Sequence, residues 1–289
     1  MTRTVLKVLF LACAVGANLL GGGGTGGVLA ASTDFSQAAP KTVTIEAENG
    51  IAWYRADKRF VATGQARAVR GPLTIEGQRL VAFYQDTAQA ASDALSSSKS
   101  ISRLEAHGAA RITRRDQRAR AETALYDVTS GLLILKAHNT RATLATPTAS
   151  LVARDTITYD TRALKATAVG DVVIRRLQQD VKADRVVAYM ATVGGKTTLK
   201  TAEALGHVHI ETDREKATAQ KAYYDAVQGE VVTLVGNVVL LRDGHRLTGD
   251  KAIFDLKTGV SRLVGKEGGR RIHAIIGSTD AHLHPHTQE

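Results

Sequence analysis

Along most of the chain, apolar and polar side chains alternate with a period of two, in short runs separated by turn signals. Gly64, Gly108, Gly170, Gly206 and Gly236 anchor the pattern. Two and four residues beyond each stand Ala66 and Ala68, Ala110 and Ile112, Val172 and Ile174, Val208 and Ile210, Val238 and Leu240, all apolar. The positions between and beside them carry Gln65, Arg67, Arg111, Asp171, His207, His209 and Asn237, so that face is mostly wet. Alternation this strict predicts strands with one buried face.

A second strand follows each time. Fourteen residues past each anchor lies an acid or amide: Gln78, Glu122, Asp184, Gln220 and Asp250. Asp155 belongs to a further copy whose first strand starts one residue out of phase, near Asn139 and Thr140, and Glu48 opens a leading half-copy. Beyond them come Leu80 and Ala82, Ala124 and Tyr126, Ile157 and Tyr159, Val186 and Ala188, Ala222 and Tyr224, Ala252 and Phe254. The outward positions next to the acids are Arg79, Thr123, Thr156, Arg185, Lys221 and Lys251, which makes that face polar and often basic.

Turn signals such as "RDG" at 242–244 and "VTSG" at 128–131 separate the strands. Each unit reads as strand, turn, strand, turn, with a period of roughly 30 residues. Two longer intervals hold Ser/Ala-rich and Gly/Thr-rich insertions, 87–103 and 191–200, which read as loops. A glycine inside an apolar stretch such as "VVTLVGNVVLL" predicts a bend or bulge. The expected fold is all-β, an extended, twisted β-jellyroll or solenoid built from about six repeats around one continuous apolar interior.

Composition sharpens this picture. Aromatic residues are only 4% of the chain, so the interior is built from small and β-branched side chains. Interior alanines at 66, 68, 82, 110, 124, 188, 222 and 252 are expected to leave room between the walls. The segment 1–30 has Arg3 and Lys7 ahead of an apolar run over 8–20 and a small-residue end at Ala30, the pattern of a secretory signal peptide. An uncleaved anchor is the alternative. Cys13, the one cysteine, would leave with that segment, so no disulfide is expected. Without Arg3 and Lys7 the charge is +8, which suits anionic partners, and export to the periplasm argues against nucleic acid.

The domain plan is then signal peptide 1–30, linker 31–40, a first repeat set 41–140, a second 141–277, and a histidine-bearing tail 278–289. Candidate chemistry adds little. Carboxylates at equivalent positions of successive repeats suit backbone capping at turns better than acid–base catalysis. His207 and His209 share a strand, and His273, His282, His284 and His286 enrich the C-terminus, without the converging ligands of a metal site. "GGGGTGG" at 21–27 lacks the Lys-Ser/Thr of a phosphate loop. Trp53, Tyr54, Tyr126, Tyr159 and Tyr224 read as core or interior wall.

The strings "TGQARAVRGPLTIEGQRLVAFYQD" and "VTLVGNVVLLRDGHRLTGDKAIFDLKTGVSRLVG" resemble repeats of the OstA/LptA family, the periplasmic lipopolysaccharide-transport proteins related to LptC and to the N-terminal domain of LptD. "VTIEAENGIAWYRADKRFVATGQARA" and "GKEGGRRIHAIIG" are similar to the family's opening and closing segments. The resemblance covers residues 41–277, about twice the usual number of repeats, so the chain looks like two such units in tandem. It implies a V-shaped jellyroll without catalytic activity or cofactor, holding the acyl chains of lipid A. It also implies edge-strand pairing with LptC-like and LptD-like components and head-to-tail pairing of copies. Strand parity and the resemblance together nominate Tyr159, Val172, Ile174, Val186, Val208, Ile210, Tyr224, Val238, Leu240 and Phe254 as groove lining. The competing readings are an inner-membrane-anchored LptC-like partner and a structural envelope β-protein. An enzyme would need a cluster of acids or bases outside the repeat pattern, and the sequence holds none.

Overall fold

The structure, a computed structural model, describes residues 43–86, 99–176, 179–193, 196–213, 215–242, 245–258, 260–265 and 273–275. The expected signal peptide, linker and C-terminal tail lie outside these residues. The strands are β1 (Thr44–Glu46), β2 (Gly50–Tyr54), β3 (Arg59–Arg70), β4 (Leu73–Asp86), β5 (Lys99–Arg114), β6 (Gln117–Asp127), β7 (Leu132–Lys136), β8 (Ala142–Ala145) and β9 (Ala149–Ala153). They continue as β10 (Thr156–Asp160), β11 (Lys165–Arg176), β12 (Gln179–Val193), β13 (Lys196–Thr212), β14 (Glu215–Asp225), β15 (Val231–Arg242), β16 (His245–Asp255), β17 (Ser261–Val264) and β18 (His273–Ile275). All pairings between them are antiparallel, as short hairpin connections allow.

The long strands bend partway along. Residues 59–63 of β3 pair with β2 and with 79–83 of β4, whereas 66–70 pair with 73–77 of β4, and 67–69 also with β1. The register slips between Thr63 and Ala66, at Gly64. Equivalent slips flank Gly108, Gly170, Gly206 and Gly236. The bends align into a spine, and the halves on either side of it form two walls. One wall runs from β2 through β7 and β10 to β17, the other from β1 through β8 and β9 to β18.

At the middle of the chain the bend becomes a break. β6 pairs with β7 in one wall and β8 in the other, and β11 pairs with β10 and β9 in the same way. The sandwich is therefore continuous through residues 140 and 141, where the two repeat sets were expected to meet.

The bend has a repeated chemistry. At each anchor glycine φ is positive, and the next residue is left-handed too: Gln65, Ala109, Asp171, His207 and Asn237 have φ of 40, 50, 40, 44 and 49°. Consecutive residues of this kind turn a strand sharply. Glycine is required because the acid or amide of the preceding strand packs against it. A Cβ on Gly108 would lie 2.9 Å from the Gln78 side chain, and one on Gly206 would overlap the Asp184 carboxylate. Asp155 covers Gly170 and Gln220 covers Gly236 in the same way.

At the first corner the residue over Gly64 is Asn49, not the expected Glu48, whose backbone N–H instead donates to the Gly64 carbonyl at 2.8 Å. At the glycine-free middle corner the Glu122 carboxylate accepts from the N–H groups of His138 and Asn139, both at 3.2 Å. Gln78, Glu122, Asp155, Asp184 and Gln220 are thus corner residues. One further expectation changes: residues 191–193 and 196–200, expected within a loop, extend the paired strands β12 and β13, with Met190 opposite Leu199 after a bulge at Tyr189. The β-branched Thr192, Val193, Thr197 and Thr198 suit a ladder. Likewise 99–103, expected within an insertion, begin β5.

Candidate functional site

The inward faces of the two walls meet in a single apolar core. Tyr159, Val186, Tyr224 and Phe254 project from the first wall and Val172, Ile174, Val208, Ile210, Val238 and Leu240 from the second, as parity predicts. Registered neighbours form continuous rows. Tyr224, Val232 and Phe254 follow one another across the first wall, and Ile174, Val181, Ile210, Ala217, Leu240 and Leu247 across the second.

Nine of the ten nominated residues are buried, and Leu240 is half-buried. The interior alanines do not leave the expected room. Ala66 and Ala222 are 0% exposed and Ala110 1%, so the walls close over the small side chains. Small residues on facing sheets let the walls approach, and close packing removes the space.

The interior opens at the C-terminal end. An apolar cavity of about 120 Å³ lies between Ile210, Ala217 and Leu240 of the second wall and Val232, Leu234 and Phe254 of the first. Leu247 completes it, and Thr212, Glu215, Lys216 and Arg242 stand at its mouth. Three nominated residues, Ile210, Leu240 and Phe254, line it, while the other seven pack elsewhere in the core. Val232, Leu234 and Leu247 were missed. Val232 and Leu234 share the parity that places Val238 and Leu240 inside, read on the other side of Gly236.

Polar groups elsewhere take the places expected of a solvated sheet. Arg79, Arg185, Lys221 and Lys251 are exposed on the outward face. His207 and His209 do not converge: His207 Nδ1 lies 2.8 Å from Asp184 Oδ2 at a corner, and His209 Nε2 lies 3.2 Å from Glu211 Oε2 on the wall. Among the described residues no cluster of His, Cys, Asp or Glu is placed to hold a metal ion. Inside, burial pushes the Tyr159 hydroxyl up to about 12, with Asp160 adding to it, and that hydroxyl has no hydrogen-bond partner.

The N-terminal end departs from expectation. Trp53 and Tyr54 are not core: they are 42% and 46% exposed, and Ile51 49%. They sit on β2, which closes the first wall and pairs only with β3 among the described residues. Trp53 stacks on Phe60 with ring centroids 5.5 Å apart and donates from Nε1 to the Tyr84 hydroxyl at 2.9 Å. At the other end β17 pairs, among the described residues, only with β16. Each end of the first wall therefore presents a strand edge that no described residue covers.

A family model described as LptA/(LptD N-terminal domain) LPS transport protein matches residues 44–165 and, a second time, 151–260. The two matches share the segment that holds β10. No curated protein matches the chain. Among solved structures it is similar to LptH, the LptA-homologous periplasmic component of the lipopolysaccharide transport device of Pseudomonas aeruginosa. The two share 17% identity at a TM-score of 0.38, over 45% of this chain and 95% of that one.

Proposed function

Since this chain belongs to the LptA/LptD N-terminal family of lipopolysaccharide transport proteins, we propose that it is a periplasmic carrier that holds the acyl chains of lipid A between its walls. The observation that carries the reading is the unbroken apolar interior, which ends in a cavity with apolar sides and a polar mouth. A site of that kind suits an amphiphile, with chains inside and a head at the water boundary.

The uncovered edges at the two ends fit strand addition by LptC-like and LptD-like components or by another copy of this chain. The repeated family match on one continuous sandwich supports a tandem unit that spans in one chain what two shorter ones would span by pairing. The basic excess suits a phosphorylated ligand.

Photo-crosslinking to lipopolysaccharide tests the reading, with a photoreactive residue placed in turn at Leu240, Leu247, Ile174 and the outward Val239. Labelling at Leu240 and Leu247, with Ile174 labelled only when the walls part and Val239 silent, is the expected pattern. Equal labelling at Val239 and Leu240, or no labelling at any position, would reject the interior as the lipid site.

A further inference from the structure

Following the second wall's alternation two residues past its apolar positions reaches the rim opposite the spine. Six residues after Gly64, Gly108, Gly170 and Gly236 stand Arg70, Arg114, Arg176 and Arg242, and Gly206 is followed at the same distance by Thr212. Each arginine keeps the inward parity of the apolar residues before it, at the end of its strand. A cation at an inward position is costly unless something compensates it.

The compensation is incomplete. Arg242 Nη1 lies 2.9 Å from Glu215 Oε1. Arg70 Nε and Arg176 Nη1, by contrast, are shielded from water and have no hydrogen-bond partner.

Arg70 and Arg114 act on the same place. Leu73 lies opposite both, so the two stand in one row, two strands apart, at about 10 Å between backbones. Both pull down the pKa of the Tyr126 hydroxyl, against the larger upward push of burial. Burial, and then the charge of Arg115, lowers the pKa of Arg114 itself. Next in the row, opposite Arg114, is Gln117, 7% exposed, whose Oε1 has no partner. The same Arg-x-x-Gln spacing places Arg176 opposite Gln179 at another hairpin of this rim.

We propose that this rim is an anion-binding edge in which Arg70 and Arg114, with Arg176 further along, bind phosphate groups on the head of an amphiphile whose chains lie between the walls. A guanidinium fork matches two phosphate oxygens at once, and the aliphatic stems extend the apolar lining up to the water boundary. The inference rests on the carrier reading above and adds what selects the head.

The test compares three proteins: the unaltered chain, Arg70→Gln/Arg114→Gln, and the outward-facing control Arg67→Gln/Arg111→Gln, which loses the same charge. Each is titrated with lipid A and with lipid A stripped of phosphate by a phosphatase. The inward variant is expected to bind phosphorylated lipid A at least tenfold more weakly, with the control within about twofold and the stripped form bound alike by all three. If the inward glutamines prevent folding, Arg70→Lys/Arg114→Lys keeps the charge without the fork and should show an intermediate loss.

Equal weakening in the inward and outward variants, or a retained preference for phosphate in the inward one, would overturn the rim. Equal binding of both lipid forms by the unaltered chain would overturn the rim while leaving the carrier reading standing. Binding of neither form would overturn both. Displacement of lipid A by inorganic phosphate at comparable affinity would replace the headgroup assignment with a free-phosphate site.

Discussion

The corner chemistry makes a prediction that can be worked from the structure. Gly206 has φ of 74°, and a Cβ there would overlap the Asp184 carboxylate of the neighbouring strand. Gly206→Ala therefore carries two costs. Holding alanine in the left-handed region costs about 1–2 kcal/mol. Displacing Asp184 adds about 1 kcal/mol, since the obstacle is the end of a short side chain and not backbone. Asp184→Ala alone removes an exposed pair with His207, which is worth about 0–1 kcal/mol. In the double variant the overlap disappears, so its destabilisation should fall about 1 kcal/mol short of the sum of the singles. Urea unfolding followed by far-UV circular dichroism reads this as a shift of roughly 1 M in the midpoint for Gly206→Ala, partly recovered in the double. Strict additivity would refute the claim that the acid's position over the glycine fixes the bend.

Three further perturbations follow from particular residues. Tyr159→Phe removes a buried hydroxyl without a partner and should be neutral or stabilising by up to about 1 kcal/mol in thermal melts. Because burial raises the Tyr159 pKa from 10.0 to about 12, the folded chain keeps its proton longer than the unfolded one; stability should hold below pH 10 and decline as pH rises through 12, less so in Tyr159→Phe. Glu122→Ala leaves the His138 and Asn139 N–H groups without their acceptor and should cost about 1 kcal/mol, with faster hydrogen exchange at that corner than at the glycine corners. Leu247→Trp should fill the C-terminal cavity and lower lipid A crosslinking at Leu240 without moving the urea midpoint downward, and undiminished crosslinking would separate that cavity from the lipid path.

Period-two alternation was sufficient to place Val172, Ile174, Val208 and Val238 inside and Arg79 and Lys251 outside, because a sheet with one dry face leaves that imprint on every strand. The bends were legible from the glycines. Which residue fills each corner was less so: Glu48 and Asn49 both fit an acid-or-amide pattern, and only the backbone pairing of Glu48 with Gly64 and of Asn49 with Thr63 sets the asparagine over the glycine. Openness was not legible at all. Small side chains are equally consistent with a gap and with two walls drawn together, and only the burial of Ala66, Ala110 and Ala222 decides between them. The arginine rim was visible in the sequence but lies where an alternating apolar run is ordinarily taken to end, so Arg70 and Arg114 look like strand termini until the register puts them in one row. Trp53 reads as core or interior wall in the sequence, yet it sits on a terminal strand that has only β3 beside it among the described residues.

A closed interior and a carrier role are compatible because of how the walls are joined. All described backbone pairing runs along one wall or the other, and the walls are linked through the chain itself at the spine. At the rim, the inward residues of one wall meet the other through side chains. Parting the rims about the spine would thus break no ladder hydrogen bond; it would wet the polar rim groups Arg70, Arg114 and Gln117 and, deeper in, expose apolar side chains at about 25 cal/mol for each Å² uncovered. An acyl chain entering the gap would cover that surface again, so opening exchanges one apolar contact for another. Alanine at the inward positions keeps the first cost low, since each residue uncovers little area when the walls separate. The same alanines that let the walls pack closely would therefore make them easy to part, and the rim that would part is the one that carries Arg70, Arg114 and Arg176.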